Sequence, residues 1–158
     1  VESSRDPDAA IKQLDTAIRI SRSIMTLEYK NARRARDLAF MLALRGQLLI
    51  ENNIDVAEGV VDLEEAALLF TKRAVQSPQE FATQNDYIEN ISKMVSILEN
   101  AKMHSESNAL LLTAISQLEC VASAEALAGR GAWSDILKSL QIHYDGIATV
   151  SNNGIPND

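Results

Sequence analysis

The sequence predicts an all-α protein of about six antiparallel helices packed as helical hairpins, and three observations support this fold class. Alanine supplies 21 of the 158 residues, whereas valine (8), threonine (6) and the aromatic residues (4%) are scarce. This composition favours residues that lose little entropy in helices over those that fill pleated sheets. Apolar residues recur at helical spacing along most of the chain. Serine, aspartate, proline and glycine stand where helix starts and stops are expected.

The first two predicted helices lie in the N-terminal third of the chain. Asp6 is expected to cap the first helix, and Pro7 is its first residue, where a missing N–H has no cost. Glu28 interrupts the apolar face of this helix, so we expect a break near it and a second helix over residues 32–51. Because no glycine or proline lies between Pro7 and Gly46, one unbroken helix is the alternative.

Capping patterns mark the third and fourth helices. Asp62 is followed three residues later by Glu65, a capping-box pattern, so the third helix is expected to begin there after a loop that contains Gly59. Ser77-Pro78-Gln79-Glu80 repeats this logic and predicts a fourth helix that ends near Met103. Five apolar residues of the fourth helix recur at helical spacing and are expected to be buried: Phe81, Ile88, Ile91, Val95 and Leu98.

Two further helices complete the prediction. Ser105 is expected to cap a fifth helix that stops at Gly129, and a sixth helix begins near Ala132 and ends before Asn152. The short connections imply antiparallel neighbours. Residues 151–158 consist of turn-forming and polar groups, so we expect them to be a flexible tail.

The domain organisation follows from length and hydropathy. We expect one all-helical domain over residues 7–150, preceded by an extension over residues 1–6, because 158 residues suffice for a core without metal or disulfide support. The longest apolar run, Leu38 to Leu44, is far shorter than the ~18 residues of a membrane span. The single cysteine, Cys120, cannot form an internal disulfide, which favours an intracellular, cytoplasmic location.

Motifs for catalysis or cofactor binding are missing from the sequence. His104 follows Glu99 by five residues, whereas a Glu and a His that share a di-iron site on one helix are three apart. His143 and Asp145 are near neighbours on a helix and point in different directions. The glycine loops that bind phosphate and dinucleotides are absent. We therefore expect no enzyme activity, no cofactor and no metal site.

Charge is unevenly distributed along the chain. Residues 1–50 carry nine Lys/Arg against six Asp/Glu, whereas residues 51–158 carry six against sixteen. A basic segment, Lys30–Arg36, stands out in the first part. The acidic total and the scarcity of aromatic residues argue against nucleic acid as a partner. We expect the segment to be a solvated face or to pair with acidic residues of the third helix region: Glu58, Asp62, Glu64 and Glu65.

Residues 62–78 resemble the second helix of a tetratricopeptide (TPR) repeat. Ala66, Phe70 and Pro78 stand at signature positions of that family, whereas Arg73 occupies a place where alanine is expected. Upstream, three residues are similar to the matching first helix: Leu42, Gly46 and Leu49. An ordinary alanine-rich helical bundle is the alternative.

The resemblance implies an array of helical hairpins that holds a protein or peptide partner. Partner contacts would come from the first helix of a hairpin, which makes five residues the candidate partner-binding set: Arg33, Arg34, Arg36, Asn52 and Asn53. Arginine in such a place favours acidic or carboxylate-bearing peptides.

We therefore predict a noncatalytic protein–protein interaction module, an adaptor or scaffold. Two alternatives stay open. One is a membrane-surface or scaffolding bundle that uses Lys30–Arg36, and the other is a secretion chaperone or assembly subunit. A homo-oligomer is compatible with each of these functions.

Overall fold

The computed structural model describes residues 6–27, 32–127 and 132–152. Six helices and no strand occur in these ranges, which confirms the all-α class with about six helices. The helices are α1 (Pro7–Leu27), α2 (Ala32–Glu51), α3 (Val56–Gln76), α4 (Phe81–Asn100), α5 (His104–Leu127) and α6 (Ala132–Asn152). No helix in the described ranges has the length and hydropathy of a bilayer span.

The start of α1 matches the prediction, and the start of α3 does not. Asp6 caps α1 by accepting the backbone N–H of Asp8 at 3.0 Å. The prediction that Asp62 caps the third helix is wrong, because α3 begins at Val56 and both Gly59 and Asp62 lie inside it. The cap is Asp55, whose carboxylate accepts the N–H of Glu58 at 3.0 Å.

The predicted start of the fourth helix is also wrong. Ser77–Glu80 forms a turn, and α4 begins at Phe81. The Pro78 carbonyl accepts hydrogen bonds from Gln84 Nε2 (3.0 Å) and from Trp133 Nε1 of α6 (2.6 Å), and these bonds hold the turn outside the helix. Ser105 does not cap α5 but lies in its first turn.

The ends of α2 and α4 share one termination geometry. Asn53 and Lys102 each have a positive φ, 52° and 60°. The N–H of the next residue then bonds five positions back, from Ile54 to Leu49 (3.0 Å) and from Met103 to Leu98 (2.8 Å). These are Schellman motifs, which satisfy the last carbonyls of a helix. α4 therefore ends at Asn100, earlier than the predicted Met103.

The later boundaries of the prediction fall partly outside the described residues. α6 ends at Asn152, so it includes the first two residues of the predicted tail. The rest of that tail, the first five residues and the glycines at 129 and 131 lie outside the described ranges. The division into an extension, one domain over residues 7–150 and a tail stays a prediction.

The chain forms two compact units, Val1–Arg73 and Ala74–Asp158. In the first unit α1 packs against α2, and Arg45 of α2 donates a hydrogen bond to Asp15 of α1 at 2.6 Å. One straight helix would hold residues 15 and 45 about 45 Å apart. The alternative of an unbroken helix from Pro7 is therefore wrong, and the predicted break is confirmed.

Helices α2 and α3 meet through backbone. A Cβ atom placed on Gly46 would lie 2.7 Å from the Gly59 carbonyl oxygen, so only glycine permits this approach. In the same unit, the rings of Phe40 and Phe70 meet edge to face at a centroid distance of 5.1 Å. Four fully buried residues complete the core of this unit: Ala39, Leu42, Leu63 and Ala66.

The second unit is built around α5, which packs against α4 and α6. Tyr87 and Trp133 are both fully buried and meet edge to face at 5.6 Å. Of the residues predicted to be buried on α4, Ile91, Val95 and Leu98 are buried. Ile88 is 38% exposed, so its predicted burial is wrong. The side chain of Phe81 lies outside what the structure describes.

Candidate functional site

A groove of about 350 Å³ runs between α4 and α6 in the second unit. Its floor is apolar, because Ile136 and Leu140 are 6% and 5% exposed. Ile88, at 38% exposure, forms an apolar edge. The lining residues are Gln84, Asn85, Ile88, Ser92, Asp135, Ile136, Ser139 and Leu140.

Helical spacing and short side chains produce this groove. Gln84, Ile88 and Ser92 follow one another every four residues, so they lie along one face of α4. Ser139 stands between the floor residues on α6. Side chains larger than those of Ser92 and Ser139 would interdigitate and fill the space between the two helices. The serines instead leave it open.

Polar groups occupy one end of the groove. The Gln84 amide is fixed by its hydrogen bond to the Pro78 carbonyl, at 3.0 Å. Asn85 is exposed, and the Asp135 side chain is 81% exposed. Lys138 stands 3.6 Å from Asp135, but both are open to solvent, so this pair is weak. The groove therefore combines an apolar floor with free hydrogen-bonding capacity at its edge.

The unit that contains the groove is strongly acidic. Residues 74–158 carry four Lys/Arg against ten Asp/Glu, a net charge of −6, whereas residues 1–73 carry eleven against twelve. Nearly all of the chain's net charge of −7 thus belongs to the second unit. Such a field attracts cationic partners and repels anionic ones.

A buried ion cluster holds the three helices of the first unit together. Arg45, only 9% exposed, donates from Nε and Nη2 to the two carboxylate oxygens of Asp62, each at 2.6 Å. Its remaining donors reach Asp15 on α1 at 2.6 Å and Glu58 on α3 at 2.9 Å. Arg22 pairs with Glu65 nearby. Three of the four acidic residues that we expected to pair with the segment Lys30–Arg36 are bound in this way instead: Glu58, Asp62 and Glu65.

The cluster changes the proton affinities of its members. The hydrogen bond to Asp62 raises the pKa of the Arg45 guanidinium, so it stays charged. Burial raises the pKa of the Asp62 carboxyl, and the hydrogen bonds from Arg45 oppose that shift. Because all three guanidinium nitrogens of Arg45 donate to carboxylates of the same unit, this cluster is an architectural element that joins α1, α2 and α3.

The predicted partner-binding residues do not come together. Arg33, Arg34 and Arg36 lie in the first turns of α2, and Asn52 and Asn53 follow its end, more than 20 Å away along the helix. Arg33 is exposed, and the Arg36 guanidinium lies 4.8 Å above the ring of Phe40. Asn52 donates to the Leu48 carbonyl at 2.9 Å and Asn53 adopts the positive φ, so both asparagines serve helix termination.

Sequence reasoning missed the groove because each of its helices was assessed alone. A signal existed in Ser92, which lies four residues after Ile88 on the predicted apolar face.

His104 forms a pair with Glu99, with Nδ1 3.0 Å from the Glu99 carboxylate. Within the described residues, no group of three or more His, Cys, Asp or Glu is placed to hold a metal ion.

Comparison with models of protein families, with curated proteins and with solved structures returned no match. The resemblance to TPR hairpins stays a prediction.

Proposed function

We propose that this chain is a noncatalytic helical module that binds a protein or peptide partner in the groove between α4 and α6. The observation that carries this proposal is the partial exposure of Ile88 beside a space of about 350 Å³ with an apolar floor. Binding sites are typically concave, apolar and provided with a few polar groups that fix orientation. The groove has each of these properties.

The chemistry of the groove favours a cationic, amphipathic segment as the partner. Apolar side chains spaced at one turn of a helix would enter the space over Ile136 and Leu140, as in helix-in-groove recognition. Lysine or arginine beside them would meet Asp135 and the net charge of −6 of residues 74–158. An acidic peptide would be repelled from this surface.

Selection from a random peptide library displayed on phage tests the proposal. The groove-filling variant is Ser139→Trp, and the matched control is Ser116→Trp, which alters an exposed serine of α5. We expect enriched peptides to carry apolar pairs flanked by Lys or Arg. They should bind the wild type and the Ser116→Trp protein at least about tenfold more tightly than Ser139→Trp, a difference of about 1.4 kcal/mol.

Two outcomes would count against the groove. Peptides that bind wild type and Ser139→Trp equally would place the interaction elsewhere on the chain. Enrichment of acidic peptides would contradict the electrostatic argument and favour the arginines of α2. Circular dichroism of both variants shows whether each one retains the helical fold.

The arginines at the start of α2 support a second candidate, binding of an anionic surface. The exposure of Arg33 favours it, and each cationic side chain near an anionic membrane contributes about 1 kcal/mol. Sedimentation with phosphatidylserine liposomes tests it. Binding that is lost in the Arg33→Glu/Arg34→Glu/Arg36→Glu protein would favour this candidate. Equal sedimentation of both proteins would exclude it.

A further inference from the structure

A line of exposed side chains on α3 has self-complementary charge. Leu68 is 57% exposed, the largest exposed fraction among the large apolar residues of this helix, and Val61, one heptad earlier, is 53% exposed. Glu64 stands four residues before Leu68, and Lys72 stands four residues after it. All of these residues belong to the first unit.

The two charged residues have no partners within the described part of the chain. Glu64 and Lys72 are both exposed, and neither forms a hydrogen bond or an ion pair there. Other carboxylates of α3 are paired, since Glu58 and Glu65 contact Arg45 and Arg22. The outward face of α3 thus presents an apolar centre between one free negative and one free positive charge.

We propose that this face binds a second copy of the chain. Two α3 helices would pack antiparallel across a two-fold axis at Leu68, so that Glu64 of each copy faces Lys72 of the other. A two-fold interface requires a self-complementary patch, in which residue i meets j and j meets i. Charges of opposite sign, about 6 Å on either side of an apolar centre, meet this requirement.

The direction of packing follows from the same charges. In a parallel pair, each Glu64 would face Glu64 of the other copy, and each Lys72 would face Lys72. Like charges placed opposite each other destabilise an interface. The antiparallel arrangement replaces both repulsions with attractions. This inference does not depend on the groove between α4 and α6, and a monomeric chain would leave the proposed function untouched.

Variants that reverse these charges test the proposal, and sedimentation velocity measures whether each variant is a monomer or a dimer. The wild type should sediment as a concentration-dependent dimer. Glu64→Lys and Lys72→Glu should each weaken the dimer at least about tenfold, because each replaces two attractive pairs with two repulsive ones, roughly 1.4 kcal/mol in total. The double variant Glu64→Lys/Lys72→Glu should restore wild-type dimerisation, and a mixture of the two single variants should form heterodimers.

Leu68→Asp tests the apolar centre, since the two-fold axis would place its new carboxylates against each other. We expect a monomer with an unchanged circular dichroism spectrum, because this position is already open to solvent. Leu44→Asp, which changes a 46% exposed leucine of α2, is the control and should dimerise normally. A monomeric wild type at millimolar concentration would overturn the proposal. Failure of the double charge exchange to restore the dimer would also overturn it.

Discussion

Arg45 and Asp62 form a bidentate ion pair in which Nε and Nη2 each lie 2.6 Å from a carboxylate oxygen. The Asp62 side chain is only 1% exposed, so its charge has no access to solvent. The pair joins α2 to α3, and a second ion pair between Arg45 and Asp15 joins α2 to α1. Since a buried charge is stable only with a partner, this pair makes the arrangement of the first unit depend on a single guanidinium.

Replacement of Arg45 by methionine should strongly destabilise the first unit. The variant leaves the Asp62 carboxylate buried without a partner, which costs about 3–5 kcal/mol in free energy of unfolding. The double variant Arg45→Met/Asp62→Leu removes both charges and should recover most of that loss. Urea denaturation followed by circular dichroism measures both values. Equal destabilisation of the single and double variants would show that packing, and not the unpaired charge, is responsible.

The same variant should have a distinctive pH dependence. Burial raises the pKa of Asp62, and Arg45→Met removes the hydrogen bonds that oppose this rise. The folded variant then binds a proton more tightly than the unfolded chain, whose aspartates have a pKa of about 3.9. The contribution of Asp62 to the stability of this variant should therefore be greatest at low pH and should fall as pH rises through the pKa of Asp62 in the folded state.

A second variant isolates the contribution of this carboxyl. Arg45→Met/Asp62→Asn lacks the titrating group but keeps every other acidic residue. The difference in free energy of unfolding between the two variants should grow as pH rises. A difference that is constant with pH would exclude Asp62 as the cause.

The contact between Gly46 and Gly59 predicts an unusual response to alanine. Alanine normally stabilises an exposed helical position relative to glycine by about 1 kcal/mol. At Gly46 the new methyl group would lie 2.7 Å from the Gly59 carbonyl, so Gly46→Ala should destabilise the protein by about 1–3 kcal/mol. Gly146→Ala on α6 is the control. Its methyl group would meet nothing within 4 Å, and it should raise the melting temperature. Stabilisation by both substitutions would refute the close contact.

Lys102 holds a backbone conformation that suits glycine better. Its φ of 60° places it in the left-handed region, which costs an L-residue roughly 1–2 kcal/mol. Lys102→Gly should therefore raise the free energy of unfolding by about 1 kcal/mol. Lys102→Ala removes the same charge but keeps the strain, so it should bring no comparable gain. Thermal denaturation of the two variants distinguishes backbone strain from the effect of charge.

The capping residues show how far the sequence predicts the fold. The spacing Asp-x-x-Glu occurs both at residues 55–58 and at residues 62–65 near the start of α3, and the two copies are equivalent as local signals. The structure uses Asp55 as the cap, because the Asp62 carboxylate is bound to Arg45. Helical periodicity predicts that the helix exists, but its start depends on a contact with a residue 17 positions away.

The groove, like the start of α3, could be predicted only in part from the sequence. Periodicity predicts burial of Ile88 together with Ile91, Val95 and Leu98, and three of these four residues are buried. Whether the fourth is covered depends on the side chain that α6 brings opposite it. α6 contributes a short serine, Ser139, to the groove that Ile88 lines, and this pairing of helices is not encoded in either segment alone.

Site-specific photo-crosslinking in the native cells tests most directly whether a polypeptide occupies the groove. A benzoylphenylalanine residue replaces Asn85, an exposed residue at the edge of the groove, or, as the control, Leu112, which is 48% exposed on α5 of the same unit. We predict a discrete crosslinked species from position 85 that is absent from position 112 and carries a basic, amphipathic segment at the crosslink. Equal crosslinking from both positions, or none from position 85, would contradict binding in the groove.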